Sequence, residues 1–368
     1  MNVLNILSTG GIGGIEVLCK DIGLNADYDN GFCFLFAGGV IFDQMRSTGM
    51  EVMSLAESRK FSIAKTRTLR DIVRSYDIVI IHHSDPYLQM YYLYLKRIYP
   101  HKKFVMTVHS CFEKSIYYDK YSFGKRIFRK WLLERSIAIS DKMIFVSNAG
   151  AKSYRDEFNF SLEKAKVVYN GIGTEKLVAG KDVVHKIGDK IKLLYIGRLI
   201  DVKGVHLLIK AVSLISKMYT LELTIVGDGE EREGLEALST QLNLNTNITF
   251  VGAQSNVVPF LKSADIFVYP STCKEIFGIS IVEAMAFGLI CIANNVGGIP
   301  EIVQDAKNGY LTRSSDPEGL AMTIELAIRD LYSGTSKLII AAAKHTAEEF
   351  SIMNTVTNLE KIYSELLD

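Results

Sequence analysis

Short apolar runs alternate with longer amphipathic stretches from the first residues of the chain. Five runs in the N-terminal half have the length and composition of buried strands, and helical patterns separate several of them. These predicted strands are 3–8, 31–36, 77–81, 103–108 and 142–146. Such alternation is typical of a parallel sheet covered by helices.

The alternation pauses over the polar segment 173–190, which has no strand pattern. It then resumes with predicted strands at 191–196, 221–226, 248–251, 265–269 and 289–293. We therefore predict an α/β protein with two doubly wound, Rossmann-like domains, 1–172 and 173–350. The last stretch, 351–368, is predicted as a helix that could pack on either domain, including by a return to the N-terminal one.

Length and composition agree with two ordinary globular cores, since the 368 residues are 48% apolar and 23% charged. Basic residues are concentrated in the N-terminal half and acidic residues in the remainder. The five cysteines form no C-x-x-C pair, which favours a reducing compartment. No apolar run reaches the roughly 18 residues of a membrane span, and the N-terminus lacks the basic start of a signal peptide. We therefore expect a cytoplasmic protein.

The first predicted strand ends in a glycine-rich loop that includes Gly13 and Gly14. Glycines at this place let backbone N–H groups approach an anion at the start of the next helix. The loop fails the dinucleotide fingerprint, because Glu16 stands where G-x-G-x-x-G needs its last glycine. A glycine-rich turn that serves only tight packing is the alternative.

The strongest candidate site lies in the C-terminal half, in the segment PSTCKEIFGISIVEAMAFG at 270–288. A loop after a strand carries Glu275, and a helix starting near Gly278 carries Glu283 before Gly288 ends it. Glu283 is flanked by apolar residues, and a carboxylate buried there must accept hydrogen bonds. The hydroxyl pair of a ribose would supply them.

This segment resembles the E-x(7)-E motif of retaining glycosyltransferases of the GT-B fold, specifically the large family four. Further segments resemble the family's motifs in the same order along nearly the whole chain. They are Asn170-Gly171-Ile172, Gly197-Arg198-Leu199 with Lys203-Gly204, Val226-Gly227-Asp228-Gly229, Phe250-Val251-Gly252, and Gly297-Gly298-Ile299-Pro300-Glu301. Each fragment alone is weak, but the combination is specific.

The resemblance implies two domains that face each other across a cleft, with the nucleotide-sugar donor on the C-terminal domain. It implies that Arg198 and Lys203 pair with the diphosphate, and two cations just after a strand independently suit phosphate oxygens. Glu283 would accept from the ribose and Glu275 would touch the transferred sugar. The other expected donor contacts are Gly13, Gly14, Val251, Gly252, Ile276, Phe277 and Gly278. The donor is a substrate, so no cofactor and no metal are expected.

His109 follows a predicted strand at the place where the family has a histidine near the reactive carbon. We expect it to orient the sugar or the forming cationic centre, as a catalytic residue together with Glu275, Arg198 and Lys203. The sequence His82-His83-Ser84-Asp85 also follows a strand. It could face the cleft or be an ordinary polar strand end.

Two positions depart from the family pattern: Ile276 replaces a glycine, and Leu289-Ile290 replaces x-Pro. The first change could narrow or alter the donor-sugar pocket. Asp27-Tyr28-Asp29 matches the D-x-D of metal-dependent enzymes by letter, but it lies in a polar loop before the second strand and is interpreted as a solvated turn. Metalloprotease, G-x-S-x-G hydrolase and P-loop motifs are absent from the sequence.

The segment 114–135 combines seven basic side chains and two acidic ones with aromatic rings. Its composition suits an anionic membrane surface that carries a lipid-linked acceptor, which would place the protein at the inner face of the cell membrane. An ordinary helix that buries its rings is the alternative. No nucleic-acid-binding motif accompanies the segment, so no nucleic-acid partner is expected.

The sequence therefore predicts a metal-independent hexosyltransferase of surface polysaccharide or glycoconjugate biosynthesis. A UDP-sugar is favoured as donor, with GDP-mannose open, and the acceptor is a hydroxyl of a glycan or lipid-linked saccharide. Two alternatives remain: a non-catalytic partner protein that keeps the fold, and a sugar-nucleotide epimerase on the same fold.

Overall fold

The computed structural model describes residues 1–55, 62–83, 85–114, 121–181, 183 and 188–368, with the backbone alone at His83. The chain divides into two compact units. The first comprises Met1–Gly171 together with Ile352–Asp368, and the second comprises Ile172–Ser351.

Within the described ranges, the first unit is built on a parallel sheet of seven strands in the order β3-β2-β1-β4-β5-β6-β7. The strands are β1 Asn2–Leu7, β2 Asp29–Phe34, β3 Glu51–Ser54, β4 Ile78–His83, β5 Lys103–Val108, β6 Lys142–Phe145 and β7 Ala165–Val167. The helices are α1 Gly14–Asn25, α2 Val40–Ser47, α3 Ile63–Val73, α4 Pro86–Ile98, α5 Phe123–Ile139, α6 Asn148–Arg155 and α14 Ile352–Leu367, with a 3-10 turn at Leu162–Lys164.

The C-terminal helix α14 packs against the sheet of the first unit. Its apolar face, including Val356, Leu359 and Tyr363, joins Val3 and Ile78 in one buried cluster. Burial of this face stabilises α14, because an amphipathic helix gains most of its stability from packing rather than from propensity.

The described part of the second unit carries a parallel sheet of six strands in the order β10-β9-β8-β11-β12-β13. The strands are β8 Ile191–Ile196, β9 Leu221–Val226, β10 Ile248–Gly252, β11 Ile266–Tyr269, β12 Ile290–Asn294 and β13 Tyr310–Thr312. The helices are α7 Thr174–Lys181, α8 Val205–Ile215, α9 Arg232–Gln241, α10 Val258–Ser263, α11 Ile279–Ala286, α12 Pro317–Ser333 and α13 Ser336–Glu349, with 3-10 turns at Asp201–Lys203 and Ile299–Glu301.

The predicted α/β class with two Rossmann-like domains is confirmed, whereas three of the strands were not predicted from the sequence. β3, β7 and β13 each form the edge of a sheet. The residues of β3 and β7 are all half-buried or exposed, and β13 has only three residues, so none of the three presents a continuous apolar run of strand length. Edge strands are buried less completely than central ones, which removes the signal on which the prediction depended.

No helix within the described residues combines the length and the apolar character needed to cross a membrane.

Candidate functional site

Loops at the carboxyl ends of β8 and β9 contact each other backbone to backbone. The N–H of Gly197 donates to the carbonyl of Val226 at 3.0 Å, and that of Leu199 donates to Asp228 at 2.9 Å. A Cβ added at Gly227, whose φ is +145°, would overlap the carbonyl oxygen of Gly197. The glycines of the G-R-L and V-G-D-G segments therefore allow a close approach that places Arg198 at the edge of the sheet.

Arg198 is exposed at this edge. Its carbonyl accepts a hydrogen bond of 3.0 Å from the buried Tyr195 hydroxyl. Burial raises the pKa of Tyr195, the Glu275 carboxylate raises it further, and Arg198 opposes the shift, so both charged groups lie near this ring. Among the described residues, the Arg198 guanidinium makes no ion pair, which leaves its fork of N–H donors facing solvent.

Lys203 and Glu275 form a largely buried ion pair, with side chains 13% and 11% exposed. Lys203 ends the 3-10 turn Asp201–Lys203, and its ammonium also lies 3.3 Å from the Tyr269 hydroxyl. The Ser271 hydroxyl donates to Glu275 Oε1 at 2.6 Å. A desolvated cation and a desolvated anion are thus held together where β8 and β11 end.

Side-chain and backbone hydrogen bonds fix the loop that carries Glu275. Asn294 at the end of β12 donates to the carbonyls of Pro270 and Ser271 at 2.8 and 3.1 Å. The N–H of Gly298 donates to the Glu275 carbonyl at 2.7 Å. Gly297 has φ +57°, and a Cβ there would overlap the Glu275 backbone, so this G-G-x-x-E segment holds the Glu275 loop.

Glu283 lies in α11 and its side chain is 9% exposed. Its Oε1 accepts from Lys176 Nζ at 2.5 Å. Lys176, in α7, was missed by the sequence analysis, which assigned only ribose hydroxyls to Glu283. Because a buried carboxylate needs a cation or a hydrogen-bond donor, the sequence indicates that Glu283 has such a partner. It does not indicate which lysine of the chain is that partner.

The remaining predicted donor residues of the second unit lie on the same carboxyl edge. Gly252 ends β10 with φ +82°, next to Val251, and its carbonyl accepts from the N–H of Gly227 at 2.9 Å. Ile276 and Phe277 are buried. Gly278 is the N-cap of α11, so the helix begins where the sequence predicted.

In the first unit, Gly13 and Gly14 lie at the start of α1, but a carboxylate from the helix itself faces this end. A Cβ added at Gly13 would contact the Glu16 carboxyl group. Burial raises the pKa of Glu16, and a backbone hydrogen bond partly offsets the shift. An anionic ligand at these glycines would have to displace or share this position, and their predicted donor contact stays a prediction.

His109, just after β5, is half-buried and lies against a second histidine. Its Nε2 is 2.9 Å from Nδ1 of His82, which is buried and has its pKa lowered to about 4 by burial. Asp85 caps α4 by accepting from the N–H of Tyr87 at 2.7 Å. Of the ambiguous segment 82–85, the structure therefore gives Asp85 a capping role and His82 a contact with His109; Ser84 and the side chain of His83 lie outside the described residues.

The segment Asp27-Tyr28-Asp29, which matches D-x-D by letter, lies at the amino end of β2, away from the carboxyl edge of its own sheet. Asp29 opens β2, the N–H of Asp27 donates to Glu360 at 3.2 Å, and the Tyr28 ring packs edge-on against Tyr363 at 5.7 Å. In the part of the chain that the structure describes, no three His, Cys, Asp or Glu side chains are grouped as metal ligands.

Two family models match the chain. The model for Glycosyltransferase Family 4 matches residues 15–176, and the model for Glycosyl transferases group 1 matches residues 181–345. Between them they include every residue of the predicted site except Gly13 and Gly14.

Individual relatives agree with the family models. An uncharacterised glycosyltransferase of Methanocaldococcus jannaschii is 31% identical over 235 residues, which are 59% of this chain and 60% of that protein. The lipopolysaccharide core biosynthesis glycosyltransferase LpsE of Rhizobium meliloti is 33% identical over 166 residues, 45% of this chain and 48% of its own length. The chain thus spans only about half to three fifths of the length of these two relatives.

Among solved structures, Anabaena HepE in complex with UDP and glucose has a TM-score of 0.82 to this chain, with 21% identity and 99% of each chain covered. At this identity the likeness concerns the fold, and it confirms the GT-B architecture expected from the sequence.

Proposed function

Because the chain belongs to glycosyltransferase family 4, we propose that it transfers a hexose from a UDP-sugar to a hydroxyl of a glycan or lipid-linked saccharide, with retention. The observation that carries this proposal is the set of charged side chains at the carboxyl edge of the second sheet. Arg198, Lys203 and Glu275 lie there in connections held by close glycine contacts, and Glu283 lies in α11, which begins at this edge. The similarity to LpsE, a lipopolysaccharide core biosynthesis glycosyltransferase, supports a place in surface polysaccharide or glycoconjugate biosynthesis.

Arg198 and Lys203 supply positive charge where the leaving diphosphate becomes more negative. Cations that are already oriented stabilise developing charge without reorganisation during the reaction. This role needs no metal and no cofactor, and the nucleotide-sugar itself is the substrate. UDP is favoured by the likeness to HepE, which was solved with UDP and glucose.

Glu283 accepts from the ribose hydroxyls while Lys176 holds it in place. A carboxylate offers about four lone-pair sites on two oxygens, so one ammonium leaves capacity for a hydroxyl pair. Lys176 contacts Oε1 of Glu283, compensates its buried charge and fixes its orientation. Glu275, paired with Lys203, touches the transferred sugar, and His109 of the first unit orients it.

The direct test is calorimetric titration of the protein with UDP, GDP, ADP and CMP, without added metal. We expect micromolar binding of UDP in preference to the others. Glu283→Ala weakens it by about 1.5–3 kcal/mol, the range for a hydrogen bond to a charged group. Glu318→Ala, which removes an exposed carboxylate from the first turn of α12, is the matched control and leaves UDP affinity unchanged.

Product analysis separates transfer from its two alternatives. Incubation of a UDP-hexose with and without a saccharide acceptor yields a glycoside only with the acceptor if the proposal holds. A new sugar nucleotide formed without acceptor would indicate an epimerase. Absence of both products and of nucleotide binding would indicate a non-catalytic partner, and unchanged UDP affinity in a folded Glu283→Ala variant would refute the ribose assignment.

The N-terminal turns of α5 supply a surface for peripheral contact with an anionic membrane. Residues 122–128 are all exposed, and Phe123 is 79% exposed. Ile127, Phe128 and Trp131 are also exposed, and the last two rings stack at 6.1 Å. Residues 115–120 of the predicted segment lie outside the described residues.

Five basic side chains and one acidic one accompany these rings in the sequence of α5. Rings can enter the headgroup boundary while each nearby cation contributes about 1 kcal/mol on an anionic surface. These features support the proposal that the protein acts at the inner face of the cell membrane, with a membrane rather than a nucleic acid as the partner of this helix.

A further inference from the structure

A row of polar side chains crosses the first sheet diagonally and ends at His109. Its members are Asn30 in β2, Asn5 in β1, His82 in β4 and His109 after β5. The register pairs Asn30 with Val3, Asn5 with Ile80, and His82 with Thr107. On each following strand, the next member of the row lies two residues after the residue that pairs with the previous member. Because side chains alternate between the two faces of a strand, this spacing of two keeps all the members on the same face of the sheet.

The donor and acceptor of each hydrogen bond in this row follow from the Tyr28 backbone carbonyl at one end of the row. A backbone carbonyl can only accept, so the bond of 3.3 Å from Asn30 to the Tyr28 carbonyl identifies the Asn30 amide nitrogen. Asn30 Oδ1 is then the acceptor for the Asn5 amide nitrogen at 3.2 Å. Asn5 therefore turns its Oδ1, an acceptor, towards His82.

The same reasoning assigns the donor and the acceptor between His82 and His109. Its Nε2 lies 3.1 Å from Asn5 Oδ1 and must carry the proton of that bond. Because burial keeps His82 neutral, with its pKa lowered to about 4, Nδ1 is left as an acceptor. The partner at 2.9 Å, Nε2 of His109, must then be the donor.

The two imidazole rings have the geometry of an in-plane hydrogen bond. Their planes differ by 18°, their centroids are 5.2 Å apart, and the facing nitrogens are 2.9 Å apart. The centroids are farther apart than the nitrogens because the two nitrogens lie between the ring centres. The rings of His82 and His109 therefore meet edge to edge. Cys19 Sγ contacts the His82 ring at 3.5–3.7 Å, and burial raises the pKa of this thiol, so it is not a charged partner.

We propose that Asn5 and His82 are positioning residues that fix neutral His109 as the Nε2–H tautomer and hold its ring in one orientation. Asn30 and the Tyr28 carbonyl set the direction of the row. The consequence for turnover rests on the proposed function of His109 at the transferred sugar, whereas the tautomer of the free protein does not.

Nitrogen-15 NMR of the histidine-labelled full chain, without substrate, tests the tautomer directly. We expect His109 to carry its proton on Nε2, with its signals assigned by their loss in His109→Gln. His82→Gln preserves the row, because an amide can accept from His109 and donate to Asn5. His82→Leu and Asn5→Leu break it and mix the two tautomers. An Nδ1–H tautomer of His109 in the native protein would overturn the proposal.

Steady-state kinetics test the positioning role. His82→Leu should lower kcat on the order of 10- to 100-fold, since misplacement of a catalytic group by about 1 Å has that effect. UDP affinity should stay unchanged, because His82 is not among the residues proposed to contact the donor. His82→Gln should restore most of kcat, and Cys19→Ala, which alters packing beside His82 but not the row, should keep it.

Equal kcat in folded native, His82→Leu and His82→Gln proteins would overturn the positioning role. Losses in His82→Gln and Cys19→Ala as large as the loss in His82→Leu would also overturn it, because altered packing alone would then explain the effect. A native protein that transfers no sugar would refute the proposed function, and the NMR spectrum would still decide the tautomer.

Discussion

Removal of the Lys203 ammonium should destabilise the second unit through the carboxylate that it leaves behind. In Lys203→Met, Glu275 remains in a site where its side chain is 11% exposed, without the cation that compensates it. Loss of one partner of a buried pair costs about 3–5 kcal/mol. Because some solvent access remains, we expect about 3 kcal/mol.

The double variant Lys203→Met/Glu275→Gln should recover most of that loss. The amide introduced in place of the carboxylate has no charge to desolvate, and its oxygen can still accept from the Ser271 hydroxyl that donates at 2.6 Å in the native protein. Replacement of both partners of a buried pair is often close to neutral, so we expect the double variant within about 1 kcal/mol of native. UDP affinity should fall about tenfold or more in both variants, since each lacks the Lys203 cation.

The assay must report on the second unit alone. The single tryptophan, Trp131, lies in α5 of the first unit, so its fluorescence reports on the other domain. Native-state hydrogen exchange of peptides from β8, β11 and α11 gives the free energy of opening of the second unit. Arg198→Met is the matched control, and we expect a change within about 0.5 kcal/mol because this cation is exposed. Equal stabilities of Lys203→Met and the double variant would refute the reasoning.

Three further outcomes follow from the structure. Arg198→Ala should reduce UDP affinity by about 1.5–3 kcal/mol in calorimetry without altering the free energy of unfolding, and unchanged affinity would remove Arg198 from the diphosphate site. His82 has a folded pKa of about 4, below its ordinary value of about 6.5, so stability from its neutral form is complete above pH 6.5 and is lost as the pH falls towards 4. Acid should therefore lower the free energy of unfolding by about 3 kcal/mol more in the native protein than in His82→Gln, followed by Trp131 fluorescence, and parallel curves would contradict the assignment. Phe123→Ser with Trp131→Ser should reduce sedimentation with anionic vesicles about tenfold or more while nucleic acid stays unbound, and equal sedimentation of both proteins would show that these rings do not contact the bilayer.

The central strands were predictable from sequence because both faces of a parallel sheet are buried. β4 contains the unbroken apolar run 78–81, and β1, β5, β8 and β9 are mainly apolar, with most of their side chains buried. The edge strands β3 and β7 lack this signal because a partly exposed strand tolerates polar residues, and β13 lacks it because it has only three residues. The apolar pattern of the sequence therefore predicts the central strands of each sheet better than the edge strands.

In the candidate site, residues that lie close together in sequence were predicted, whereas contacts between residues far apart in sequence were not. Glu275 and Glu283 were found because one short segment contains both and because the family motif is local. Lys176 was missed, since it meets Glu283 only through the packing of α7 on α11, and the two residues are 107 apart in sequence. The row from Asn5 to His82 also depends on strand register, which the apolar pattern of parallel strands does not specify.

The ion pairs at the second sheet have a consequence for how the donor would bind. A lysine in water must lose its hydration shell before it contacts a phosphate, which offsets much of the attraction. Lys203 has already lost most of that shell, because it lies against Glu275 and the Tyr269 hydroxyl with its side chain 13% exposed. A diphosphate that shares or replaces Glu275 therefore exchanges one anionic partner for another at little desolvation cost. The ammonium of Lys203 loses its water during folding and not during donor binding. Its positive charge is therefore already oriented when negative charge develops on the leaving diphosphate.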